Sequence, residues 1–91
     1  MEQSSYQWWV YLVRCRDGSY YCGITTDLDK RIAQHNKGKG AKYTSGRYPV
    51  TLLWSRDFLS EGGARSFEYR VKKWGRIKKE KLIRGEIYIE E

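Results

Sequence analysis

The chain has 91 residues, which predicts one domain and leaves no room for a second. Its 18 basic side chains outnumber the 11 acidic ones, for a net charge of +7 at pH 7. The longest apolar run, Trp8 to Val13, is too short to cross a membrane, and the first residues lack the features of a signal peptide. Cys15 and Cys22 have no zinc-binding spacing, so free thiols in a cytoplasmic protein are expected.

The positive charge is concentrated in two segments. Residues 30–56 contain seven basic side chains and no acidic one, and residues 65–84 contain nine basic ones against Glu68 and Glu80. This pattern is typical of proteins that bind a phosphate backbone. A soluble protein that merely happens to be basic is the alternative that charge alone leaves open.

In chain order, residues 8–15 and 19–25 are rich in aromatic and β-branched side chains, which predicts a β-hairpin. Residues 27–36 predict a helix, with Thr26 or Asp27 as its N-cap. A basic loop with three glycines follows at 38–48, and residues 49–58 resume a β pattern.

The C-terminal part predicts two more helices. Ser60 is placed to cap the first, Gly75 to end it, and a very basic helix follows at 77–84. Residues 1–6 and 86–91 are expected to be tails around a core of about 8–84, with a short strand conceivable at 87–89. The order β-β-α-β-α-α predicts an α+β fold, a three-stranded antiparallel sheet with flanking helices.

The hairpin register decides which side chains share a face. A three-residue loop at 16–18 would pair Val13 with Tyr21 and Tyr11 with Gly23, and would place Gly18 in the left-handed region. A two-residue turn would put the two tyrosines on opposite faces. We expect the three-residue loop, because it gathers the apolar side chains on one buried face.

Several segments resemble a known nuclease family. Trp9-Val10-Tyr11 and Tyr21-Cys22-Gly23 resemble the two half-motifs of the GIY-YIG nucleases. Residues 26–36 resemble the family's arginine-bearing helix, with Arg31 and, four residues on, His35. Phe67-Glu68-Tyr69 resembles the helix with the metal-binding glutamate. The resemblance spans about residues 8–75 and points to the small single-domain bacterial members and to the nuclease domain of the eukaryotic subunit that cuts branched DNA.

The sequence also departs from the family pattern. Trp9 stands for the first motif's glycine and Cys22 for the second motif's isoleucine, both at backbone or packing positions. Some members carry a lysine directly after the second motif, where this chain has Ile24. If that lysine lowers the pKa of a tyrosine, another group must do so here, and Arg31 is a candidate.

The resemblance implies a metal-dependent endonuclease that hydrolyses phosphodiester bonds in DNA, with structure-specific cutting in repair or recombination. It assigns Glu68 to one Mg²⁺ or another divalent ion such as Mn²⁺. Arg31 would hold the phosphate, Tyr11 is the candidate general base or water positioner, and Tyr21 the supporting hydroxyl. His35 could share or take over the role of base, and the sequence does not separate these assignments.

Each of these residues also has an ordinary structural interpretation. The two tyrosines fit any β-strand, Arg31 and His35 fit a helix surface, and Glu68 fits a salt bridge with its basic neighbours. A GIY-YIG fold that grips nucleic acid without cutting it, and a basic protein-interaction module, are therefore the alternative functions.

Basic side chains outside the motifs are expected to bind the nucleic-acid backbone, with DNA favoured over RNA and a protein partner conceivable for substrate choice. These candidates are Lys37, Lys39, Lys42, Arg47, Lys72, Lys73, Arg76 and Lys78.

Overall fold

The computed structural model describes residues 7–87. Three strands and three helices follow the predicted order: β1 (Trp8–Arg14), β2 (Tyr20–Thr25), α1 (Leu28–Asn36), β3 (Thr51–Phe58), α2 (Glu61–Lys72) and α3 (Arg76–Ile83). The strands form one antiparallel sheet in the order β2-β1-β3. The predicted α+β fold is confirmed, and β2 lies at an edge of the sheet.

The hairpin adopts the register predicted from the three-residue loop. Tyr11 lies opposite Gly23, and Val13 lies opposite Tyr21. Gly18 has a φ of 86°, the left-handed region that glycine enters without steric cost. Tyr11 and Tyr21 therefore share one face of the sheet.

The face opposite those tyrosines forms the larger hydrophobic core. Val10, Leu12 and Cys22 from the hairpin are buried there against Phe67 and Val71 of α2. Apolar side chains at alternate strand positions and at helical spacing meet in this layer, as the sequence pattern predicted.

The tyrosine face is covered as well. Tyr11 and Val13 are fully buried, and they pack with Val50 and with Leu28 and Ile32 of α1. The sequence analysis had assigned burial to one face only. Because α1 folds back across the sheet, the second face forms a small core of its own, and it is this core that encloses Tyr11.

The start of each of the first two helices agrees with the sequence. Asp27 caps α1 by accepting from the backbone N–H of Lys30 at 3.1 Å, and Ser60 caps α2 by accepting from that of Gly63 at 3.0 Å.

The predicted end of α2 was wrong. We expected Gly75 to end the helix, but α2 ends at Lys72 with Lys73 as its C-cap. Gly75, with a φ of −71°, is instead the N-cap of α3. The cap of α2 is an ordinary right-handed residue, so no left-handed glycine is needed there, whereas Gly85, with a φ of 75°, follows the end of α3.

The expected tails fall mostly outside the described residues. Residues 1–6 and 88–91 are not described, so the suggested strand at 87–89 lies largely outside the described residues. Ile87, which is described, packs against the larger core after the end of α3. Within residues 7–87, no helix has the length and apolar character needed to cross a membrane.

Candidate active site

A buried hydrogen-bonded chain runs from the sheet through α1 into the basic loop. The Tyr11 hydroxyl lies 2.8 Å from His35 Nε2, and His35 Nδ1 lies 2.6 Å from the Thr44 hydroxyl. Thr44 Oγ1 in turn donates to the Ala41 carbonyl at 3.0 Å. Because a hydroxyl has one proton to donate, Thr44 must accept from an Nδ1–H of His35. The Nε2 atom is therefore unprotonated, and Tyr11 donates to it.

Burial keeps both ring systems of this chain neutral. The side chains of Tyr11 and His35 are fully buried. Burial, reinforced by the charge of Arg31, lowers the pKa of His35 to about 4. Burial raises the pKa of Tyr11 to about 12. At neutral pH the pair is thus a phenol that donates to a neutral imidazole.

Arg31 approaches the same hydroxyl from the solvent side. Its Nε donates to the Tyr11 oxygen at 3.4 Å, and its Nη1 donates to Gln34 Oε1 at 3.2 Å. The second interaction, one turn along α1, orients the guanidinium. Arg31 is half-buried, so part of its fork remains available to an anion.

Tyr21 lies between the buried chain and the solvent. Its ring centroid is 6.4 Å from that of Tyr11 and 5.5 Å from that of His35. The ring of Tyr43, from the basic loop, stacks on it at 5.9 Å with planes 19° apart. Tyr21 is half-buried, and within residues 7–87 its hydroxyl makes no hydrogen bond. Of the two motif tyrosines, Tyr21 is the one with a hydroxyl free for a ligand.

Helix α2 brings a carboxylate to the same edge of the sheet. The side chain of Glu68 is 16% exposed, and its Oε2 lies 3.2 Å from Nζ of Lys72. The Lys72 ammonium is also 5.5 Å from the centroid of the Tyr21 ring. Burial raises the pKa of the Cys22 thiol to about 12, and the negative charge of Glu68 is the second cause of this rise. Glu68 therefore lies close to β2. Lys72 therefore connects Glu68 to Tyr21.

The five residues singled out from the sequence form one connected cluster. Contacts run from Arg31 to Tyr11, from Tyr11 to His35, and from both rings to Tyr21. Lys72 extends the cluster to Glu68. Sequence reasoning had placed Lys72 only among the backbone-binding residues.

Two glycines make room for the buried chain. A Cβ on Gly23 would lie 2.5 Å from the Tyr11 hydroxyl oxygen, and a Cβ on Gly40 would collide with His35 Nδ1. The predicted strand pairing had placed Gly23 opposite Tyr11. Gly40 and Thr44 were not singled out, because their contacts depend on how the basic loop folds over α1, and local sequence carries no signal for that.

Among the described residues, a metal ion would find few protein ligands at the candidate site. Within the described part of the chain, no three or more His, Cys, Asp or Glu side chains cluster to hold an ion. Magnesium takes few protein carboxylates and keeps several waters, so Glu68 alone suits it as a protein ligand. The Lys72 ammonium is the cation that this carboxylate pairs with in the structure.

Comparisons with known proteins agree with the geometry. The GIY-YIG catalytic domain family matches residues 7–81. A UPF0213 protein of Halobacterium salinarum is 52% identical over 74 residues, covering 81% of this chain and 96% of the relative. The solution NMR structure of the UPF0213 protein BH0048 from Bacillus halodurans is 49% identical with a TM-score of 0.56, covering 85% of this chain and 82% of that chain. The chain belongs to the GIY-YIG family.

A second solved structure extends the likeness over the whole chain. The solution NMR structure of the E. faecalis protein EF2693 has a TM-score of 0.62 at 33% identity, covering 100% of this chain and 99% of that one. The expected membership in a family of nucleases, and the expected similarity to small single-domain members, are confirmed.

The basic residues of this GIY-YIG domain fall into two groups. Seven of the eight candidates for backbone binding are exposed, and six of these are lysines of the loop or of the C-terminal helices: Lys37, Lys39, Lys42, Lys72, Lys73 and Lys78. The lysines of the loop precede Tyr43, which stacks on Tyr21, and Lys72 lies over the same ring. The two elements that contact the Tyr21 ring, the basic loop and α2, therefore both carry lysines.

The two arginine candidates are engaged within the protein. Arg47 donates to Asp17 at 3.0 Å and to the Tyr43 carbonyl at 2.6 Å, and its guanidinium lies over the Tyr43 ring. Arg76 donates to the Gly18 carbonyl at 2.8 Å. Arg47 ties the basic loop to the hairpin and Arg76 ties α3 to it, which leaves both less available to a nucleic acid than the lysines.

Proposed function

We propose that this chain is a divalent-metal-dependent endonuclease that hydrolyses phosphodiester bonds in DNA. The observation that carries the proposal is the connected cluster of Arg31, Tyr11, His35, Tyr21 and Glu68 at the edge of β2. It combines a phosphate-binding fork, a free phenol and a carboxylate on a basic surface. These are the groups that phosphodiester hydrolysis needs for charge neutralisation and for orienting water.

The different burial of the two tyrosines supports a division of roles. The Tyr11 hydroxyl is enclosed and donates to His35, so it is a poor candidate for direct contact with the attacking water. Tyr21, half-buried and with a free hydroxyl, is the better one. We therefore assign Tyr21 to orienting the water and the Tyr11–His35–Thr44 chain to holding Arg31 and Tyr21 in position. This reverses the roles expected for the two tyrosines from the sequence.

Arg31 and Glu68 then deal with the phosphate. Arg31 would bind a non-bridging oxygen through its planar fork. Glu68 would hold Mg²⁺ or Mn²⁺, which when bound supplies positive charge at the phosphate and at the leaving 3′ oxygen. Both side chains are partly enclosed, so their charges act in a less polar medium than bulk water.

The substrate class follows from what the surface offers. Lysines contact phosphates without reading bases, so selection would depend on the shape of the nucleic acid. Arg31 also lines an open cavity of about 460 Å³ together with Trp8, Lys30 and Gln34. A strand leaving the scissile phosphate could follow this cavity, which suits branched DNA in repair or recombination. A protein partner for substrate choice belongs to the same proposal.

A paired cleavage and binding assay tests the function. We expect Glu68→Ala to lose Mg²⁺-dependent cleavage of a labelled DNA panel by about 100-fold or more, while binding persists because a negative charge is removed from a basic surface. Glu61→Ala is the matched control, since Glu61 is also on α2 and is paired one turn along with Arg65 at 2.6 Å. Arg31→Ala should impair both cleavage and binding.

The alternative is a domain that binds nucleic acid without cutting it. The exposed lysines would favour it by themselves, because they serve binding equally well. Absence of cleavage by the wild-type protein on every flap, fork, single strand and RNA tested would move our preference to this alternative. Undiminished cutting by Glu68→Ala would instead place the metal elsewhere.

A further inference from the structure

Lys72 occupies the position where a metal ion would meet Glu68. Its Nζ is 3.2 Å from Glu68 Oε2, a direct ion pair one turn along α2. The other ion pair with this spacing on the same helix, Glu61 with Arg65, has side chains that are 45% and 63% exposed. The Glu68 side chain is only 16% exposed, and its partner Lys72 lies 5.5 Å from the centroid of the Tyr21 ring. The Lys72 pair is therefore part of the site rather than of the helix surface.

The carboxylate and the ammonium differ in their freedom to move. The Glu68 side chain is 16% exposed and its charge acts on Cys22 of β2, whereas the Lys72 side chain is 48% exposed. A lysine side chain has four flexible carbon–carbon bonds beyond its Cα, so its charge can leave without disturbing the core. The fixed partner is the metal ligand, and the movable partner is the cation that blocks it.

Electrostatics makes the two cations compete. A divalent ion on Glu68 would lie within a few ångströms of the ammonium, where like charges repel strongly in a partly enclosed site. Metal binding must therefore displace Lys72. The nearby destinations are the face of Tyr21, 5.5 Å away now, and a phosphate held by Arg31.

We propose that Lys72 closes the metal site in the free protein and opens it by moving to the substrate phosphate. Resting on the proposed function, this makes metal and nucleic acid bind with positive coupling, since each removes an obstacle to the other. In the bound state the Lys72 ammonium adds positive charge near Tyr21. Some family members carry a lysine directly after the second half-motif, and this chain has Ile24 at that position.

Metal binding in the absence of nucleic acid tests the closed state. Mn²⁺ titration followed by electron paramagnetic resonance would compare wild type with Lys72→Met. We expect Lys72→Met to bind Mn²⁺ about two- to fivefold more tightly, the range that a partly exposed ion pair supplies. Lys73→Met is the matched control, because Lys73 is the next residue and its Nζ lies 4.2 Å over the Tyr69 ring. It should change the affinity less, and Lys72→Arg should keep the wild-type value.

The coupling between metal binding and DNA binding tests the open state, in which Lys72 contacts the phosphate. A DNA strand with a non-hydrolysable phosphate analogue should tighten Mn²⁺ binding in the wild type and in Lys73→Met, and this gain should shrink in Lys72→Met. Equal Mn²⁺ affinities for Lys72→Met and Lys73→Met, or an undiminished gain in Lys72→Met, would overturn the inference. Circular dichroism of each variant checks the fold.

The Glu68→Ala variant separates this inference from the proposed function. If it binds Mn²⁺ as the wild type does, Glu68 is not the ligand, and the role of Lys72 fails together with the assignment of the metal to Glu68. If it loses both Mn²⁺ binding and cleavage, while Lys72→Met behaves like Lys73→Met, the nuclease assignment stands and only the role of Lys72 falls.

Discussion

His35 makes two hydrogen bonds in opposite directions, to Tyr11 and to Thr44, and neither partner is near it in the chain. The family motifs indicated His35 and Tyr11, because their spacing is a property of the sequence. Thr44 could not be found in the same way. Its hydroxyl reaches the imidazole only because the basic loop packs against α1, a tertiary arrangement that no local pattern specifies.

The buried state of His35 makes stability depend on pH. Its pKa is about 4 in the folded protein against about 6.5 in an unfolded chain. Well above pH 6.5, His35 is neutral in both the folded and the unfolded state, and it does not reduce the free energy of unfolding. As the pH falls from 6.5 towards 4, His35 is protonated in the unfolded state but stays neutral in the folded state. The free energy of unfolding therefore falls in that range, by up to roughly 3 kcal/mol.

A histidine-free variant isolates this effect from the carboxylates that titrate in the same range. Urea unfolding of wild type and His35→Gln at pH values between 7.5 and 4 should give free energies of unfolding whose difference shrinks as the pH falls. Two parallel curves would mean that His35 is protonated as readily in the folded protein as in the unfolded chain.

At the scale of elements, the sequence predicted all six and their order but not what covers them. Alternation along the hairpin correctly placed Val10 and Leu12 in the larger core. It did not reveal the second core around Tyr11 and Val50. The sequence of a helix of mixed polarity such as α1 does not indicate which face of the sheet the helix covers. Gly75 was misassigned since a glycine between two helices fits the end of one as well as the start of the next.

The docking of α3 on the hairpin depends on Arg76. Its Nη1 donates to the Gly18 carbonyl, its guanidinium lies 4.1 Å over the Tyr20 ring, and its Nε is 3.3 Å from Glu80. Arg76→Ala would remove all three contacts and should lower the free energy of unfolding by about 1–2 kcal/mol.

Lys78→Ala is the control for that change on the same helix. Lys78 is exposed, with its Nζ 4.4 Å over the Trp74 ring, and its loss should alter stability by less than about 0.5 kcal/mol. Urea denaturation measures both variants. Equal effects would contradict a structural role for Arg76 and return it to the backbone-binding residues.

At the scale of the whole molecule, both basic segments of the sequence contribute an element that contacts Tyr21. Residues 37–42 supply three lysines on the loop that carries Tyr43, and α2 supplies Lys72 from the other side of Tyr21. This convergence could not be predicted from the two basic segments alone, since charge runs in a sequence do not say whether they share a surface.

Such a surface should bind DNA with a steep dependence on salt. Each phosphate neutralised by a lysine releases counterions, so the logarithm of the association constant falls by about 0.9 per contact for each tenfold rise in salt. With several lysines in contact, we expect a slope steeper than about −2 between roughly 50 and 200 mM salt. Fluorescence anisotropy with a labelled duplex in Mg²⁺-free buffer measures it without cleavage.

Single substitutions then identify the lysines in contact. Lys39→Ala and Lys42→Ala should each flatten the slope by about one unit and weaken binding to all sequences alike. Arg84→Ala is the matched control, because Arg84 is paired with Glu86 at 2.6 Å and its charge is already balanced. It should leave the slope unchanged. A flat salt dependence in the wild type would reject backbone-driven binding, and equal changes in all three variants would mean that net charge matters and the position of the lysines does not.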